Sequence, residues 1–143
     1  MALDQSVPPE DVIRVQNLLH GFFRAWDARD VEAVAPLMAP DGRWLRGGKA
    51  KIGPEGVRAA MAERKQGTTT AHIVDNVYVE ARDGQLFAAC YVTTFNEPSP
   101  DDGSVPTMPL ARSIVAYHLL LAKRGGGLVI HEIGNTPVFR RQG

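Results

Sequence analysis

Ala25-Trp26-Asp27-Ala28-Arg29-Asp30 closes a run in which Val12, Val15, Leu19, Phe22, Phe23 and Trp26 recur every three or four residues. That spacing draws one apolar stripe along a helix, so a first helix is predicted from about Ser6 to Ala28 with other elements covering the stripe. Asp27 interrupts the stripe at its C-terminal end, with Phe23 rather than a cation one turn before it. A carboxylate pressed toward a core is costly unless hydrogen-bonded, so Asp27 either turns to solvent or meets a specific partner.

Working outward, Ser6-Val7-Pro8-Pro9-Glu10-Asp11 reads as a helix start: a small polar cap, proline in the first turn, and acids against the positive end of the dipole. On the other side Asp30 is a good cap for a second helix through Val31, Val34, Leu37 and Met38, which Pro40-Asp41-Gly42 should end. Arg43-Trp44-Leu45-Arg46 alternates like a strand, Gly47-Gly48 breaks it, and residues 49–52 offer a short return strand. Gly53-Pro54-Glu55 opens a third helix with Val57, Ala60 and Met61 inside, and Gly67 is expected to close it.

From Thr68 the pattern changes. Residues 70–81 and 85–95 are rich in β-branched and aromatic side chains, with the hairpin signal Arg82-Asp83-Gly84 between them. Residues 96–109 hold four prolines and read as a long loop, expected to border a pocket. Two last strands follow at 110–123 and 127–138, joined through Arg124-Gly125-Gly126. Three helices followed by a four- to six-stranded, mostly antiparallel sheet is an α+β order, with helices against one face of a curved sheet.

The 143 residues, 44% of them hydrophobic, suit one domain spanning the chain, 1–143. Sixteen basic and sixteen acidic residues cancel without long blocks, which speaks against an electrostatic grip on nucleic acid or on an anionic membrane. No signal-peptide pattern or spanning stretch is visible, so a cytoplasmic protein is expected. The single cysteine, Cys90, sits in an apolar strand-like run, where a buried, inert thiol is the usual outcome. The histidines at 20, 72, 118 and 131 lack the close spacing of a ligand pair, and neither metal nor cofactor is expected.

The succession Phe23-Arg24-Ala25-Trp26-Asp27-Ala28-Arg29-Asp30-Val31-Glu32-Ala33, then Met38-Ala39-Pro40-Asp41-Gly42-Arg43-Trp44, resembles the helix pair and first strand of the SnoaL-like branch of the nuclear transport factor 2-like superfamily. Ile52-Gly53-Pro54-Glu55-Gly56-Val57, the strand pair around Asp83-Gly84 and the ending from Tyr117-His118 to Ile130 follow in that family's order. The resemblance implies a cone of mixed, mostly antiparallel sheet wrapped around the long first helix, an apolar pocket between them, and a homodimer formed through the sheet. It does not fix a function, because the superfamily holds many chemistries and non-enzymes.

The catalytic pattern that best overlays the sequence is similar to that of scytalone dehydratase, in which an aspartate at the end of the first helix holds a histidine that acts as acid and base. The resemblance puts Asp27 and His72 in those roles; a carboxylate fixes the imidazole tautomer, and imidazole titrates near neutral pH. Trp26 and Trp44 stand where that family has two tyrosines, and an indole N–H donates a hydrogen bond but exchanges no proton. No residue matches that family's second histidine or its pocket asparagine. Asn76 and Tyr78 share strand parity with His72 and are expected beside it, an expectation that a bulge would reverse. Tyr91 and His118 complete the substrate-binding candidates, although the facing of Tyr91, Arg112, Tyr117, His118 and His131 stays open. The reading is a cofactor-independent lyase or isomerase acting on a small, largely apolar cyclic molecule, or else a non-catalytic ligand- or partner-binding module of the same fold.

Overall fold

The computed structural model describes residues 2–142. The apolar stripe forms helix α1 (Pro9–Asp27), which buries Val15, Leu19, Phe22, Phe23 and Trp26. Its start differs from the expectation. Pro8 occupies the cap position without a side-chain cap bond, while Ser6 turns back to the Asp4 carboxylate. Proline in the first turn needs no partner there because that turn's N–H groups are orphans anyway. At the far end Arg29 adopts φ +60°, a left-handed turn that glycine more often supplies, and Asp30 N–H closes on the Ala25 carbonyl at 2.9 Å. The Arg29 guanidinium reaches the Lys65 carbonyl at 2.6 Å and the Thr68 hydroxyl at 3.2 Å. The corner after α1 is thereby tied to the segment that enters the sheet.

The second helix is much shorter than its apolar spacing predicts. Asp30 does cap it, accepting from Ala33 N–H at 3.2 Å, but α2 covers only Val31–Val34 and a 3-10 turn, Ala35–Leu37, follows. Pro36 has no N–H to continue the helical ladder. Strand β1 (Met38–Arg46) therefore begins inside the expected helix, and Pro40-Asp41-Gly42 lies in the strand at an irregularity of its pairing. Bulges are where a strand tolerates proline. Strand β2 (Lys49–Ile52) returns beside β1, and α3 (Gly53–Ala62) buries Val57, Ala60 and Met61. That helix ends at Ala62, five positions before the glycine expected to close it; Gly67, at φ +67°, instead turns the chain into the next strand.

Strands β3 (Thr68–Arg82) and β4 (Gln85–Pro98) form a hairpin across Asp83 and Gly84, and β5 (Ser113–Arg124) and β6 (Gly127–Arg140) form another across Gly125 and Gly126. All four turn residues have positive φ, as the right-handed twist of two-residue hairpins requires. The sheet order is β2-β1-β6-β5-β4-β3, antiparallel throughout except for β1 beside β6. This is the α+β cone: the α1 stripe is covered by alternate residues of the sheet, among them Ala88, Cys90, Val92, Leu119, Leu121, Ile130 and Ile133. Asp11, only 2% exposed, seats the N-terminal end of α1 through Lys123, whose ammonium lies 2.6 Å away. Burial pushes the Cys90 thiol up to about 11, so it stays protonated. Among the described residues no helix is long and apolar enough to cross a membrane.

Candidate functional site

Where α1 ends, its last residue meets the start of β3. Asp27 Oδ1 lies 2.5 Å from His72 Nδ1, and Oδ2 accepts the backbone N–H of His72 at 2.8 Å. Thr70 donates its hydroxyl to Oδ1 at 3.0 Å, and that same hydroxyl oxygen accepts from Arg64 at 2.6 Å. A second Arg64 nitrogen bonds the Trp26 carbonyl, so the corner after α3 is tied to the end of α1. Burial alone would raise the Asp27 pKa, but the His72 ring, its charge, the His72 backbone N–H and Thr70 together hold it below the usual carboxylate range. An ionised carboxylate is an acceptor only, so the proton at the short contact sits on Nδ1. His72 Nε2 makes no hydrogen bond among the described residues, and the ring lines a cavity.

That cavity has a volume of about 390 Å³. One wall is aromatic. Trp26 and Trp44 meet edge to face at 5.0 Å, Phe23 stacks on His72 at 5.2 Å, and the Tyr117 ring stands edge-on to Phe23 at 5.5 Å. Burial raises the Tyr117 pKa, opposed by the charge of Arg46 and reinforced by Cys90, so the phenol remains a donor. The other walls are not the apolar surface the resemblance implied. Arg46, Arg64, Lys65 and Arg112 lie among the lining residues with Thr94, Asn96, Ser113 and Asn135. Arg46 sits over both indoles, 4.8 Å from the Trp44 ring and 5.5 Å from the Trp26 ring, and Arg64 sits over Trp26 at 5.1 Å. Burial, then repulsion from Arg29 and Arg46, lowers the Arg64 pKa against the pull of Asp27. The Trp44 indole N–H is buried without a partner among the described residues.

The sequence candidates divide accordingly. Asp27, His72, Trp26 and Trp44 come together at the cavity. Asn76 and Tyr78 do not, because Asn76 sits at φ +51° in a bulge between Asp75 and Tyr78 that shifts the strand's facing. Asn76 is exposed, and the Tyr78 hydroxyl accepts from Asp4 N–H at 2.6 Å. Tyr91 faces outward, since its neighbours Cys90 and Val92 are the buried ones. His118 is likewise on the outer face, stacked on Phe87 with Glu132 at 3.2 Å. Tyr117 and Arg112, whose facing the sequence left open, line the cavity, as do two asparagines that no motif marked, Asn96 and Asn135. Cross-strand pairing of Tyr117 with both Cys90 and Asn135 was the hidden signal; it needs the register, not the sequence alone.

The SnoaL-like domain model matches residues 9–133, from the start of α1 through the middle of β6. The chain belongs to the SnoaL-like domain family. Solved structures of similar fold include Aln2 from a Streptomyces species, 21% identical over 95% of this SnoaL-like chain and 94% of that one, with a TM-score of 0.76. ActVI-ORFA from Streptomyces coelicolor is 17% identical over 90% and 98% of the two chains, with a TM-score of 0.78. Hexachlorocyclohexane dehydrochlorinase LinA-type3 from Novosphingobium barchaimii is 15% identical over 92% and 89%, with a TM-score of 0.73. At such identities the likeness is one of fold. No functionally curated protein matches the sequence.

Proposed function

We propose that this SnoaL-like chain is a cofactor-independent lyase or isomerase in which His72 moves a proton on a small cyclic substrate. The observation that carries the reading is the 2.5 Å contact between Asp27 and His72 at the wall of a cavity. Asp27 holds the Nδ1–H tautomer, so Nε2 takes a proton from a carbon next to a carbonyl and returns it, either to another carbon or to a departing oxygen. The charge that develops on the carbonyl oxygen is met by donors in the same cavity, Tyr117 and the arginines. Trp26, Trp44 and Phe23 form the buried aromatic wall behind the site, with Arg46 packed over both indoles. A cavity of about 390 Å³ lies at the small end of ligand sites, which suits a compact molecule of one to three rings. The fold that the chain shares with a hexachlorocyclohexane dehydrochlorinase is compatible with elimination chemistry but does not assign it.

The test is proton exchange in D2O. A panel of cyclic ketones and β-hydroxy ketones is followed by NMR for protein-dependent loss of the proton beside the carbonyl. The wild type should exchange at least one member of the panel, and His72→Gln should slow that exchange by about 10²–10⁴-fold. Equal exchange by the two proteins would remove His72 from the reaction.

A further inference from the structure

The chain as a whole carries no net charge, yet its basic residues are unevenly neutralised. Arg14, Arg43, Lys51, Arg58, Arg82 and Lys123 each lie within ion-pair distance of a carboxylate. Arg46, Arg64, Lys65 and Arg112, the four cations of the cavity, form no ion pair among the described residues, and no Asp or Glu is among the cavity's lining residues. Of the carboxylates that feel these cations, Asp27 is used by His72 and Thr70, and Glu63, which the charge of Arg46 also reaches, is paired with Lys51. The Arg46 and Arg112 side chains also make no hydrogen bond among the described residues, and Trp44 holds a buried N–H with no acceptor. A second hollow, about 280 Å³, shares Arg112 and Ser113 with the first and adds Arg140 and Arg141. Cations therefore continue from the surface into the cavity. A concave site lined by one sign of charge concentrates ligands of the other sign and speeds their arrival.

We infer that the cavity takes a ring-bearing carboxylate, with its anionic group among Arg46 and Arg112 and its ring toward His72. This rests on reading the cavity as the substrate site and narrows the substrate from a largely apolar ring to an anionic one. Guanidinium groups bind carboxylates through paired, charge-assisted hydrogen bonds, and the unpartnered donors of this cavity are of that kind. Arg140 and Arg141 steer the anion toward the entrance and contribute to association rate rather than to the bound contacts.

Isothermal titration calorimetry with 2-naphthoate and its neutral isostere 2-naphthamide tests the inference without requiring turnover. The carboxylate should bind about tenfold or more tightly than the amide at low salt, with the gap narrowing near 0.5 M salt. Arg112→Gln, which removes a side chain with no internal hydrogen bond, should weaken naphthoate binding and leave naphthamide binding unchanged; Arg46→Gln should do the same if its indole contacts are dispensable for folding, which the melting curve reports. His72→Gln should keep the carboxylate preference, so failure of the proton-transfer reading and failure of anion binding are read separately. Equal affinities for the two probes, a preference insensitive to both arginine variants, or no binding of either probe at about 10 mM would overturn the inference.

Discussion

Both oxygens of the Asp27 carboxylate are committed to His72, Oδ1 to the ring at 2.5 Å and Oδ2 to the backbone N–H at 2.8 Å. The aspartate therefore fixes the strand and the imidazole together, and the ring cannot turn over without losing the contact. Asp27→Asn keeps the shape but offers an amide that can donate or accept. In ¹⁵N NMR spectra the wild-type His72 should show its neutral form almost wholly as the Nδ1–H tautomer, and the variant a mixture. An unchanged tautomer in the variant would mean that something other than the carboxylate orients the ring.

Acid should expose the same carboxylate. Its pKa in the fold lies below the ordinary aspartate value of 3.8, so the unfolded chain binds the proton more readily than the folded one. Stability from this group is intact above the unfolded value and drains as pH falls through the folded one. Thermal melts of wild type and Asp27→Asn should differ by a constant amount above about pH 5 and draw together only as pH falls below 3.8 and through the lower folded-state pKa. A gap that does not narrow with acid would show that the loss in the variant is steric.

Gly53 opens α3 at φ +63°, and a Cβ there would come 2.5 Å from the Pro40 carbonyl oxygen. Both the backbone conformation and the space forbid a side chain. Gly53→Ala should cost about 1–3 kcal/mol of stability, read from urea unfolding. Gly47, also at positive φ but with nothing nearby, should lose less on the same substitution.

The outer face of the sheet carries an exposed apolar row, and we propose that a second copy of the chain covers it. Ile73, Thr93, Ile114 and Phe139 are successive cross-strand partners from β3 to β6, and Ile73 and Phe139 are 53% and 66% exposed. A row of this kind favours pairing with a second copy. Sedimentation at micromolar concentration should give a homodimer, and Ile73→Asp with Phe139→Asp a folded monomer. A monomeric wild type removes the proposal.

How far the sequence reached depends on which physical signal each residue needed. The α1 stripe and both hairpin turns are local patterns, and they read correctly. The junction of α2 and β1 did not, because Leu37 and Met38 fit a helical period and a strand period alike, and only Pro36 hinted at the break. Within the site, Asp27 was marked by a charge on an apolar face, but Asn76 and Tyr78 were misplaced by one bulge in β3. Tyr91 and His118 looked more functional than their neighbours by chemistry, whereas the small buried residues Ala88 and Cys90 decide the facing of the whole strand pair. The cations of the cavity come from separate segments of the chain, so nothing local announces them.

The indoles of Trp26 and Trp44 have one more consequence. They are the chain's two tryptophans, and both stand in the cavity wall under the same guanidinium. All of the tryptophan emission of this protein thus originates within the site, with no background from elsewhere in the fold, so occupancy can be followed on the unlabelled molecule as a change in its own fluorescence.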